Sequence, residues 1–160
     1  IARGMHYLHQ KRIVHGDLKG ANILVDRCGR ACVADFGLSS VIDSNVLKMS
    51  SVGGGSAGTI RWQAPELIDP VNETIRPTSS SDIFAFACSC YEIFTGGVPF
   101  TEVLRDVTVI YKIMQGHRPL RPTNLHTKHG LTDLIWALIE RCWAQHPMDR
   151  PDVEEVLRCL

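Results

Sequence analysis

The stretch HGDLKGAN, His15 to Asn22, sets a carboxylate, an amine and a carboxamide close together, at Asp17, Lys19 and Asn22. A second carboxylate, Asp35, stands further on in ADFGLSS. Between the two strings lie two short strand-like runs, NILV at 22–25 and ACVAD at 31–35. Their connector DRCGR carries Asp26 and Gly29, which suits a hairpin turn. Such a hairpin brings Asp17, Asn22 and Asp35 to one end. Two carboxylates and an amide gathered there suit Mg²⁺, a hard cation that takes oxygen ligands and shares them with substrate phosphates.

Several elements must hold this hairpin in place. Ile1, Met5 and Leu8 share one helical face with no capping residue ahead of them, so the chain reads as starting inside a helix and as a piece of something longer. Residues 38–63 are rich in Ser and Gly and lack periodicity, which predicts a long loop. From Ser79, the run SSSDIFAFACSCYEIFTGG is apolar nearly all round and predicts a helix buried at the centre of a domain. Its serines and Asp82 are candidate caps, and Gly96-Gly97 ends it. A further helix fits 101–115, with Val103, Leu104, Val107, Ile110, Tyr111 and Met114 on its inner face. Another places Leu131, Leu134, Ile135, Leu138, Ile139, Cys142 and Trp143 on one face. Pro151 opens a last short helix carrying Val153, Val156, Leu157 and Leu160.

With 160 residues, the chain has the length of one ordinary domain. A formal net charge of zero gives no reason to expect a nucleic-acid or anionic-membrane partner. No apolar run approaches the roughly 18 residues of a membrane span. The six cysteines form no C-x-x-C pair and read as buried, reduced thiols of an intracellular protein. His126 and His129 lack an acidic or cysteine neighbour and read as a polar loop.

The order H-x-D-x-K-x-x-N, then D-F-G, then A-P-E (Ala64, Pro65 and Glu66 in QAPEL) resembles the protein kinase family. Asp82 stands where that family has the structural aspartate of its buried helix. Arg150, in CWAQHPMDRP, stands where the family pairs an arginine with the A-P-E glutamate. The resemblance implies roles residue by residue. Asp17 becomes the catalytic aspartate that accepts the proton of the attacking hydroxyl. Lys19 steadies the transferring phosphoryl group, and Asn22 and Asp35 hold the metal ions between phosphates. Leu24 lies beneath the adenine ring. His15 and Phe36 pack in a hydrophobic spine, Gly37 completes D-F-G, and Thr59 lines the substrate site towards Asp17 and Lys19. Lys19 together with Thr59 ahead of Trp62 is similar to serine/threonine kinases, and GTIRWQAPE resembles the tyrosine-kinase-like group. VHGDLKGANILVD is reminiscent of fungal members.

GGGSAG, Gly53 to Gly58, satisfies G-x-G-x-x-G by letter but lies between D-F-G and A-P-E, so it reads as activation segment. Ser50, Ser51 and Ser56 are candidates for phosphorylation there, and equally for an unmodified Ser-rich loop. Gly16 replaces the arginine of the usual H-R-D and removes a cation from a loop phosphate; Arg61 is the alternative cation but lies on the substrate-facing stretch, so the resemblance implies an enzyme largely indifferent to loop phosphorylation. Gly20 occupies a position where small residues fit.

The resemblance covers residues 1–160 and implies the C-terminal lobe of a kinase-like fold, mainly α with a small β-hairpin carrying the catalytic and metal-binding loops. The N-terminal lobe, with its glycine-rich loop and strand lysine, would precede Ile1, and the piece alone would be inactive. The implied function is transfer of the γ-phosphoryl group of Mg-ATP to Ser/Thr hydroxyls of protein substrates, in the cytoplasm. The alternative is a pseudokinase, a binding module that keeps the fold without turnover.

Overall fold

The structure, a computed structural model, describes residues 1–35, 59–71, 76–123 and 130–160, and the backbone at 40–41. Phe36, Gly37, His126, His129, the loop serines and the GGGSAG string lie outside the described residues. Helix α1 spans Ala2–Gln10 and buries Met5 and Leu8. Strand β1 (Ile13–Val14) follows, then the catalytic-loop candidate, which ends in a 3-10 turn over Gly20–Asn22. Strands β2 (Ile23–Val25) and β3 (Ala31–Val33) pair antiparallel with Leu24 opposite Cys32. Asp26 makes the turn between them: its Oδ1 accepts from Cys28 N and Arg30 N, and Gly29 takes φ +76°. Both strands are shorter than the sequence pattern suggests.

The predicted loop over 38–63 is not without structure. Strand β4 (Ser40–Val41) pairs antiparallel with β1, and a 3-10 turn covers Ile60–Trp62. The one-turn helix α2 (Pro65–Ile68) comes next, opened by proline at its first position. Both pieces are too short for periodicity to show them.

Helix α3 (Ser79–Thr95) is the centre of the molecule, with Ile83 to Ser89 all buried. Its cap is Thr78, whose hydroxyl accepts from Ser81 N while the Ser81 hydroxyl accepts from Thr78 N. Asp82 therefore does not cap the helix and is spent elsewhere. Gly96 ends α3 at φ +73°. Helix α5 (Asp133–Cys142) packs along α3, and α6 (Val153–Cys159) joins α1 to α5. Trp136 and Trp143 meet edge to face at 5.6 Å in this core. Leu134 was expected on the inner face of α5 but is exposed, and Trp136 is buried in its place.

The helix expected over 101–115 is the main correction. Helix α4 covers only Asp106–Met114 and buries Val109 and Ile113. Leu104, Val107 and Tyr111, three of the residues expected inside, are exposed at 95%, 77% and 64%. The cause lies ahead of the helix. Arg61 donates to the carbonyls of Pro99, Phe100 and Val103, which removes acceptors a helix from 101 would need. Phe100 takes φ +56° in this turn, and the helix starts late with its other stripe inward.

The cysteines also differ from expectation. All six are free, but Cys28, Cys32 and Cys159 are exposed and only Cys88 and Cys142 are buried. The exposed three lie on the hairpin and at the chain's end, where apolar neighbours in sequence do not mean a core in space. Among the described residues, no helix is long and apolar enough to cross a membrane.

Candidate active site

The site is built on α3. Asp82, 1% exposed, accepts from His15 N at 2.8 Å and Gly16 N at 2.9 Å, so one buried carboxylate shapes the loop between β1 and Asp17. The same carboxylate meets His9 Nε2 of α1 at 2.9 Å. Gly16 itself takes φ +79°, a left-handed conformation that favours glycine. His15 is fully buried and braces the loop from below. Its Nδ1 accepts from Asp17 N at 3.2 Å, so Nε2 carries the hydrogen donated to Ala34 O at 3.1 Å.

Above this base the polar side chains converge. Lys19 Nζ donates to Asp17 Oδ2 at 2.7 Å and to Thr59 Oγ1 at 2.9 Å. Asn22 Nδ2 donates to the Asp17 carbonyl at 2.7 Å and to Oδ2 at 3.1 Å. Asp17 Oδ2 is thus doubly held, whereas the buried Oδ1 has no hydrogen-bond partner among the described residues. One carboxylate oxygen is fixed in place and the other is left to accept a proton or a hydrogen bond.

Asn22 turns its nitrogen to Asp17, which directs its carboxamide oxygen the opposite way. Ala34 N donates to Asn22 O at 2.8 Å, so Asp35 emerges beside Asn22. Asp35 is exposed and takes φ +61°, a conformation Asp tolerates better than most residues. A carboxamide oxygen and an exposed carboxylate on adjoining backbone are hard donors, and they fit Mg²⁺ carried with a phosphate. Leu24 is 58% exposed on the hairpin. The cavity under the loop, lined by Gly16, Asp17 and Thr59 among others, holds about 10 Å³, far too little for a nucleotide.

Arg150 and Glu66 form a two-pronged ion pair, with NH1 to Oε1 at 2.7 Å and NH2 to Oε2 at 2.8 Å. The Arg150 side chain is fully buried, stacks over Phe84, and also donates to the carbonyls of Ala144, Ser80 and Gln145. The Arg61 guanidinium is committed to three loop carbonyls and to Asp106 at 3.1 Å, so it is not a spare cation for a loop phosphate.

At Gly20 a Cβ would stand 2.5 Å from Cδ of Glu92, so even alanine would require the tip of that side chain to move. Glu92 Oε2 accepts from Gly20 N at 2.9 Å and from Trp62 Nε1 at 3.1 Å. Sequence reasoning missed both Glu92 and His9. The signal for Glu92 was present, as one acid in the apolar run SCYEIFTGG. His9 left none.

A family model described as protein tyrosine and serine/threonine kinase matches residues 1–160. The serine/threonine-protein kinase STY17 of Arabidopsis thaliana is 36% identical over all of this chain and 25% of its own length. Receptor-interacting serine/threonine-protein kinase 2 of Bos taurus is 35% identical over all of this chain and 30% of its own length. Mitogen-activated protein kinase kinase kinase 1a of Physcomitrium patens is 34% identical over 98% of this chain and 19% of its own length. The chain thus spans between 9% and 30% of the length of the curated relatives it matches.

Proposed function

Because the chain belongs to the protein tyrosine and serine/threonine kinase family, we propose that it is the C-terminal lobe of a serine/threonine kinase of the tyrosine-kinase-like group. The reaction is transfer of the γ-phosphoryl group of ATP to a protein hydroxyl, in the cytoplasm. The observation that carries the reading is the cluster in which Asp17 Oδ2 is held by Lys19 and Asn22 while Lys19 also reaches Thr59.

The roles follow from that arrangement. The acceptor oxygen forms its bond to the γ-phosphorus as the bond from that phosphorus to the ADP oxygen breaks, and the hydroxyl proton passes to Asp17. Asn22 and Lys19 keep Asp17 from rotating away from the hydroxyl. Lys19 places a positive charge beside the moving phosphoryl group. Thr59 holds Lys19 from the acceptor side, and Leu24 offers an apolar seat for adenine. Asn22 and Asp35 would hold Mg²⁺, which supplies charge neutralisation between the phosphates when bound.

The test is phosphate transfer from ATP by the full-length protein carrying Asp17→Asn. Loss of a proton acceptor of this kind lowers turnover by roughly 10²–10⁴-fold, with the melting temperature close to that of the parent. Undiminished transfer by the variant would remove Asp17 from its role. A parent without transfer under any Mg-ATP condition would favour a binding module that keeps the fold.

A further inference from the structure

Resting on the kinase reading, we propose that Gly4 is a positioning residue for the Mg²⁺-binding end of the hairpin. The missing side chain at position 4 seats Val33, and with it the point at which Asp35 leaves β3. Gly4 lies on α1, outside the cluster around Asp17, and acts through the strand alone.

Helix α1 packs against β3 as well as against α6. A Cβ on Gly4 would stand 3.2 Å from Cγ2 of Val33 and 3.8 Å from its Cβ. Among the described residues, no other side chain across this contact comes within 4 Å. Carbon atoms rest at about 3.5–4.0 Å from one another, so an added methyl and Val33 cannot both keep their places. Gly20 differs, because its neighbour is the tip of the long Glu92 side chain, which can swing aside. Val33 is β-branched and stiff at its first torsion, so relief has to come from the strand itself. Glycine is also the weakest helix former after proline. Its presence within α1 gives up helix strength, and what it gains is the approach of Val33.

The strand it seats leads directly to the metal-ligand candidates. Val33 is the last residue of β3 and stands opposite Ile23, the first residue of β2. Asn22 immediately precedes Ile23, and Asp35 is two residues beyond Val33. Past this rung, Ala34 N donates to Asn22 O at 2.8 Å, and Ala34 O accepts from His15 Nε2 at 3.1 Å. Asn22 is tied to Asp17 through its own amide. A shift of Val33 therefore moves Asp35 while Asn22 stays with the catalytic loop, and the two oxygen donors lose their spacing. Asp35, at φ +61°, sits in a small allowed region that leaves little room to swing back.

The experiment titrates Mg²⁺ against binding of a fluorescent ADP by the full-length protein, with melting temperatures measured alongside. Gly4→Ala should raise the Mg²⁺ concentration at half-maximal binding by about 10-fold, the low end of the roughly 10–100-fold seen when groups that orient metal ligands are changed. Its Tm should stay at or above the parent's, because alanine strengthens the helix. ADP binding without Mg²⁺ should be unchanged. Val33→Ala loosens the same seat from the other side and should also raise the Mg²⁺ requirement. Adding Gly4→Ala to it refills part of the gap and should lower the requirement again, the reverse of its effect in the parent. Gly97→Ala, whose Cβ would find nothing nearer than 3.9 Å, should match the parent. If Gly4→Ala does not fold, Val33→Ala decides. An unchanged Mg²⁺ requirement in the deciding variant overturns the proposal and leaves the kinase reading standing. Independent, additive rises in the double variant also overturn it, because the effect of Gly4 then does not pass through Val33. A parent that binds no ADP at any Mg²⁺ concentration overturns the kinase reading, and the positioning role with it.

Discussion

Gly16 shows how one residue can answer to a partner far along the chain. Gly16 donates its N–H, with that of His15, to the distant Asp82 carboxylate and then takes φ +79°. Any side chain there meets the left-handed penalty of about 1–2 kcal/mol. Gly16→Ala should therefore lower Tm by roughly 2–8 °C for a domain of this size. An unchanged or higher Tm by differential scanning fluorimetry would show that the backbone relaxes without strain. Gly16→Arg would restore the cation of H-R-D but should carry the same penalty. At this scale the sequence was legible wherever contacts are local. Asp17, Lys19 and Asn22 are separated by at most five residues, and their spacing alone suggests that they act together. Glu92 and His9 reach the site across 72 and 73 residues, and no spacing rule covers such distances. What makes Gly20 tight is equally distant, the Glu92 carboxylate.

Among the elements, α3 was legible and α4 was not. Helix α3 carries its own signals, a Thr78–Ser81 box before it and a left-handed Gly96 after it. Helix α4 has apolar residues on two stripes, and the choice between them depends on Arg61, which lies far upstream. A pattern cannot register a guanidinium that takes the carbonyls the helix would have used. The Arg150–Glu66 pair works at this scale too, tying α2 to the turn before α6 and to the start of α3 through Ser80 O. Arg150→Ala removes the two-pronged pair with Glu66 and one donor from each of three carbonyls. Breaking a buried pair costs roughly 3–5 kcal/mol, and the partial exposure of Glu66 favours the lower end. The expected result is a Tm lower by roughly 6–12 °C. A melting curve that overlays the parent's would rule out this tie as a source of stability.

For the whole molecule, the fold class was legible from the order of motifs, while the depth of individual residues was not. The cysteines turn that depth into a measurement. Burial pushes the Cys88 and Cys142 thiols up to about 12, and the thiolate is the reactive form, so both should resist alkylation at pH 8. Cys28, Cys32 and Cys159 are exposed and should react at once. Mass spectrometry of the native protein after a short iodoacetamide pulse should find label on these three. Early label on Cys88 or Cys142 would contradict the packing around α3. The dependence of the loop on α3 also sets an order for synthesis. Asp82 lies 67 residues beyond His15 and 66 beyond Gly16. A ribosome adding about 5–20 residues per second makes Asp82 roughly 3–13 s after the loop it shapes. During that interval the nascent HGDLKGAN segment has no carboxylate to close upon. A chaperone that recognises unformed kinase loops would have its opportunity then, and a pause between codons 16 and 82 would lengthen it.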